Sequence, residues 1–175
     1  YRENLTVTGF TCKYSANGNK SLLKVSATKG KYAKNALSLC FNPSDASLAK
    51  YKYIKFSYRT DITDTAVVTL SSDKGSASNF ISISATGEKY KQKTLSLLVF
   101  KDYKKILSGD NIKITVFPFG KGQKTLKTTK KFDIEYFGIF KTKDAANAFI
   151  YAGEHGGNLT SKAIIYTPLL LDPAR

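Results

Sequence analysis

Asp133 and Glu135 stand two residues apart in the run Lys131-Phe132-Asp133-Ile134-Glu135-Tyr136, where apolar and acidic residues alternate. A period of two marks a half-buried strand, so both carboxylates are expected on its outer face, about 7 Å apart by strand rise. That separation is compatible with the two acids of an inverting glycoside hydrolase. Any alternating strand with two acids meets the same criterion, however, and a catalytic pair flanks its substrate from different strands. No catalytic residue is therefore assigned. The single histidine, His155, lies in Gly153-Glu154-His155-Gly156-Gly157, and nothing around the serines resembles a nucleophile elbow. It reads as a loop residue.

Binding needs less than catalysis. In Tyr51 to Thr60, alternation turns Ile54, Phe56 and Tyr58 inward and leaves Tyr51, Tyr53, Lys55, Ser57 and Arg59 outward. In 111–119 it turns Ile112, Ile114 and Val116 inward and Lys113, Thr115, Phe117 and Phe119 outward. If these strands share a sheet with 131–140, its outer face carries aromatic rings, a guanidinium and two carboxylates. Aromatic rings stack on the C–H faces of pyranoses, and planar charged groups take sugar hydroxyls in paired hydrogen bonds. Tyr51, Tyr53, Arg59, Asp133 and Glu135 are thus the expected ligand-binding residues. The competing reading packs Tyr51 and Tyr53 beneath a loop or helix and pairs Arg59 with Asp133 or Glu135.

Metal and cofactor chemistry find little support. Asp61, Asp64 and Asp73, with Asn79 nearby, offer oxygens for a structural calcium, but their spacing matches no dedicated loop, and turn capping is the better reading. No glycine-rich loop precedes a helix, so no phosphate-binding cofactor is expected. Cys12 and Cys40 lack partners at metal-ligand spacing; a disulfide and two buried thiols both remain open.

The chain of 175 residues carries 28 Lys and Arg against 13 Asp and Glu, a net charge of +15. An anionic partner is one implication. Yet only Arg2, Arg59 and Arg175 are arginines, whereas nucleic-acid readers favour Arg for bidentate contacts, so nucleic acid is not the expected partner. The lysines are dispersed, densest over 121–131, and read first as a solubilising surface. No apolar run reaches bilayer-spanning length, so no membrane insertion is expected. The chain begins at Tyr1, contains no Met and shows no signal peptide; it is expected to be one module excised from a larger protein.

The elements that must position these residues are short strands separated by polar turns, at about 5–11, 21–28, 36–42, 51–60, 65–71, 79–85, 93–100, 111–119, 131–140 and 159–167. Without long helices for parallel crossovers the sheets must be antiparallel. Short helical turns are expected at 44–49 and 144–150, the second capped by Thr142. The fold class is all-β: one monomeric β-sandwich over 1–175.

Two stretches carry a resemblance. Lys131 to Phe149, an acidic-aromatic strand followed by Gly138, Lys141-Thr142 and Asp144-Ala145-Ala146-Asn147-Ala148-Phe149, resembles the closing segment of β-sandwich modules in large secreted and surface proteins of Gram-positive bacteria. Tyr51 to Asp61 resembles the mid-module strand of the same galactose-binding-like jelly rolls. The resemblance implies a non-catalytic carbohydrate-binding module, secreted or at the cell surface, with a polysaccharide and neighbouring domains as partners. The alternative is a structural or adhesive module that binds a protein partner, or an acidic polymer through its lysines.

Overall fold

Ile54, Phe56 and Tyr58 are all buried in one core, as their spacing requires, and the strand that carries them runs from Tyr53 to Thr60. The computed structural model describes residues 5–8, 11–17, 20–27, 36–41, 48–118, 128, 130–151 and 163–166. Eleven strands are described: β1 (Leu5–Thr8), β2 (Thr11–Asn17), β3 (Lys20–Ala27), β4 (Ala36–Phe41), β5 (Tyr53–Thr60), β6 (Asp64–Ser72), β7 (Gly75–Ile83), β8 (Lys91–Ser96), β9 (Ile112–Phe117), β10 (Lys130–Phe140) and β11 (Ala163–Tyr166). Two short helices, α1 (Tyr103–Leu107) and α2 (Lys143–Ala148), join them. Tight 3-10 turns occupy Leu48–Lys50 and Leu97–Val99.

All described strand pairs are antiparallel. Sheet I has the order β1-β4-β9-β6-β7, and sheet II the order β2-β3-β10-β5-β8, with β11 also on β10. β3 pairs the first half of β10 and β11 the second, so the 159–167 region does supply a sheet strand. The main core lies between the sheets. Ala66, Val68, Leu70, Ile112, Ile114 and Val116 line it from sheet I, and Ile54, Phe56, Tyr58, Phe132, Phe137 and Ile139 from sheet II. Rings order its centre: Phe56 stacks on Phe137 with centroids 5.5 Å apart, and Tyr58 on Phe132 at 5.4 Å.

The register of β10 against β5 shifts between Ile134 and Tyr136, a bulge that inserts Glu135. An inserted residue breaks the period of two. Before it Ile134 faces the core; after it Phe137 and Ile139 do, while Tyr136 and Phe140 turn to the opposite face. There they build a second small core with Ala146, Phe149 and Tyr151, beneath α2. Thr142 caps α2 as expected, its Oγ1 accepting from Ala145 N at 3.1 Å.

Two expectations change. The strand at 93–100 ends at Ser96 and gives way to a 3-10 turn and α1. The strand at 111–119 lies in sheet I, apart from β5 and β10 in sheet II, because periodicity fixes faces and not sheet membership. Cys12 and Cys40 sit on strands of different sheets, in register with Val25 and Lys113 respectively. His155, Phe119 and most of the lysine-dense 121–131 stretch lie outside the described residues.

Candidate functional site

β5 and β10 are neighbours, so the outer face of sheet II brings Arg59 opposite Asp133 by register. Arg59 Nη2 lies 3.0 Å from Asp133 Oδ2 and Nε donates to the same oxygen at 3.2 Å, the one ion pair among the described residues. Ser57 Oγ donates to Glu135 Oε2 at 2.8 Å. The guanidinium lies over the ring of Tyr90, 4.9 Å from its centroid. Burial by itself would lower the affinity of Arg59 for its proton, but the bond to Asp133 and the charges of Tyr90, Asp133 and Glu88 raise it overall. Tyr90 was not legible as a member of this cluster, because it precedes β8 in a segment without alternation.

The tyrosines go elsewhere. Tyr51 precedes β5, is 3% exposed and belongs to the main core, with Lys141 Nζ 5.4 Å from its ring centroid. The outward placement given by strand parity is therefore corrected, since parity holds only within the strand. Tyr53 does face outward but packs against the second core. Between Tyr53 and Ser57 the same face holds Lys55, 4% exposed, whose Nζ donates to Ala146 O at 2.6 Å and Phe149 O at 3.2 Å. This cation ties the end of α2 to the sheet. The burial of Tyr51 and the pairing of Arg59 with Asp133 match the competing reading, while Tyr53 stays partly exposed.

Burial pushes the phenol of Tyr90 up to about 12, with Arg59 opposing and Asp133 and Glu135 adding to the rise. It also raises Tyr51, Tyr58 and Tyr136. Each such phenol stays protonated in the fold when it would ionise in the unfolded chain near pH 10. Their stabilisation is complete below pH 10 and is lost as pH rises from 10 through the folded values. Lys55, lowered by burial, has the opposite sign, but it is one group against four. Unfolding free energy is expected to fall above about pH 10. Tyr136 Oη is buried without a hydrogen-bond partner among the described residues, so Tyr136→Phe should raise stability by about 1 kcal/mol and reduce the alkaline loss. Denaturant titrations from neutral to alkaline pH read both effects.

Of the residues weighed for calcium, Asp61, Asp73 and Asn79 make separate contacts. Asp61 Oδ1 accepts from Lys131 N, Asp73 Oδ1 accepts from Asp110 N, and Asn79 Nδ2 donates to Val99 O. Among the described residues no group of three acids, histidines or cysteines is placed to hold a metal.

Sheet I has a different outer face. Thr65, Val67, Thr69 and Ser71 on β6, Ser76, Ser78, Phe80 and Ser82 on β7, and Lys113, Thr115 and Phe117 on β9 alternate with the core set. Eleven outer positions thus hold one charge, in a chain of net charge +15. Register arranges them in rows across the strands. Ser78, Thr69 and Thr115 form a hydroxyl row that Ser38 and Thr6 continue by position, with Ser78 Oγ and Thr69 Oγ1 2.8 Å apart. The next row is apolar: Phe80, Val67 and Phe117, with Phe80 72% exposed. Its signal in the sequence is one phenylalanine at outward parity among the serines of Ser76-Ala77-Ser78-Asn79-Phe80-Ile81-Ser82.

No protein-family model matches this chain, and no curated protein matches it. Solved structures do. The family 11 carbohydrate-binding module of a cellulosomal cellulase of Clostridium thermocellum aligns with a TM-score of 0.51 at 11% identity, over 75% of this chain and 84% of that one. The solution structure of CtCBM11 gives 0.51 at 14% identity, over 75% and 85%. An exo-beta-agarase gives 0.54 at 13% identity, over 75% of this chain and 22% of the enzyme. The chain therefore has the jelly-roll β-sandwich fold of carbohydrate-binding modules.

Proposed function

We propose that this chain is a non-catalytic polysaccharide-binding module of a secreted or cell-surface bacterial protein, acting as a monomer through the outer face of sheet I. The observation that carries the reading is the exposed ring of Phe80 beside an uncharged row of hydroxyls. A solvated sheet face in a lysine-rich protein has no need of this composition. Sugars have use for both rows, with C–H faces on the apolar one and hydroxyls on the polar one. The likeness in fold to carbohydrate-binding modules supports the same reading. Arg59, Asp133 and Glu135 are proposed to fix β5 to β10, because their polar groups already satisfy one another.

Phe80→Ala is expected to weaken retention on an insoluble neutral polysaccharide about five- to tenfold, the value of one aromatic stacking contact. Stability should change little, since most of the ring already faces water. Pull-down assays beside thermal melts separate the two quantities. A second reading, a ligand at Arg59, Asp133, Glu135 and Tyr53 on sheet II, is favoured by the Tyr90 ring beside them. Full retention in Phe80→Ala together with loss in Arg59→Ala would move the site there.

A further inference from the structure

The lysines are not evenly spread over the described surface. Leu97 N donates to Lys52 O and Lys52 N donates to Phe140 O, which gathers the start of β5, the end of β8 and the end of β10 at one end of the sandwich. α1 packs against both 3-10 turns there. Over 48–52 and 97–107 this end carries Lys50, Lys52, Lys101, Lys104 and Lys105, all exposed, and one acid, Asp102. No ion pair among the described residues involves these lysines. Burial of Tyr103, Ile106 and Leu107 turns Lys104 and Lys105 to solvent.

Among the lysines protrude two adjacent aliphatic side chains, Leu98 and Val99, 55% and 52% exposed. They are held out by their neighbours: Leu97 and Phe100 are buried on either side, Ser96 Oγ caps the turn by accepting from Leu98 N, and Asn79 Nδ2 donates to Val99 O. The turn is thus an anchored apolar knob at the end of the sandwich that carries the five lysines.

We propose that this end is a second ligand surface, which takes an anionic polysaccharide. The charge pattern demands a polyanion, and the knob selects among polyanions. Inorganic polyphosphate offers Leu98 and Val99 nothing, whereas an acidic sugar chain alternates carboxylates with C–H faces. Nucleic acid would call for arginine forks or stacking aromatics, and the surface has neither. The surface adjoins sheet I at β7, where Asn79 holds Val99, but differs from the uncharged rows in its charge, and it stands whether or not those rows bind sugar.

The probe is polygalacturonate in affinity electrophoresis of the full chain, with polyphosphate and anionic phospholipid vesicles in parallel. Wild-type binding should fall about tenfold or more between about 50 and 200 mM salt. The triple variant K101E/K104E/K105E should lose at least about tenfold in affinity for polygalacturonate. The control K89E/K91E/K131E makes the same charge change on exposed lysines elsewhere and should retain most of the binding. L98S/V99S should weaken binding to polygalacturonate and leave the weaker binding to polyphosphate unchanged. Equal losses in both triple variants would overturn the proposal in favour of delocalised charge. So would preference for polyphosphate, or binding to vesicles without binding to polygalacturonate. Retention of K101E/K104E/K105E on the insoluble neutral polysaccharide should match wild type, which keeps this test apart from that of sheet I.

Discussion

Deleting Glu135 is expected to leave the fold standing, although it takes a residue out of the middle of β10. The reason lies in the backbone. Ile134 pairs with Tyr58 and Tyr136 with Ser57, so the residues on either side of Glu135 already oppose consecutive positions of β5. Without Glu135 they become neighbours, and regular alternation keeps Ile134, Phe137 and Ile139 in the main core and Tyr136 and Phe140 in the second. The deletion should cost about 1 kcal/mol, the value of the hydrogen bond from Ser57, against a total stability of about 5–15 kcal/mol for a domain. Glu135→Ala keeps the residue count and should cost about 1 kcal/mol, the value of one hydrogen bond. Circular dichroism and one-dimensional proton spectra of both variants decide the matter. An unfolded deletion variant would show that the bulge itself is required, beyond the order of faces it leaves unchanged.

Lys55→Ala should be the most damaging substitution of any lysine among the described residues. It removes a buried stem and the amine that donates to Ala146 O and Phe149 O. The loss is expected at about 3 kcal/mol, from two lost hydrogen bonds and from lost packing, with Ala146 O keeping only the bond from Phe149 N among the described residues. Lys55→Met separates the two, since it keeps most of the stem and lacks the amine; it should still cost about 2 kcal/mol. The opposite argument is that desolvating a cation is itself expensive, so an apolar replacement restores stability. Urea denaturation of the Met variant chooses between them. Stability equal to or above wild type would mean that the two bonds to α2 do no more than offset the buried charge.

The strands were legible where a single rule governs them. Ile54, Phe56 and Tyr58 obeyed the period of two, and Thr142 announced α2 through capping chemistry. Tyr136 defeated the same rule because a bulge leaves no mark in hydrophobic alternation; the sequence Ile134-Glu135-Tyr136-Phe137 reads equally well in either phase. Tyr51 failed for a different reason, lying two residues before the strand whose parity was applied to it. Lys55 looked like an ordinary solvated lysine, since its partners are backbone carbonyls more than ninety residues away in sequence. Sheet membership, which separates Phe117 from Arg59, is a non-local property that no window of sequence contains. The pairing of Arg59 with Asp133 was visible in outline as the alternative to a ligand patch, and only the register could choose.

The layer formed by α2 and 149–151 over Tyr136 and Phe140 gives the sandwich a front and a back. On sheet I the ring of Phe80 stands 72% exposed, while half of sheet II is roofed. A molecule with two equivalent open faces could sit between two strands of one polymer and tie them together, thickening a solution or setting a gel. Under the proposed function this one is a tile: a single sugar-binding face would coat a neutral chain from one side and leave two chains of the same kind unbridged.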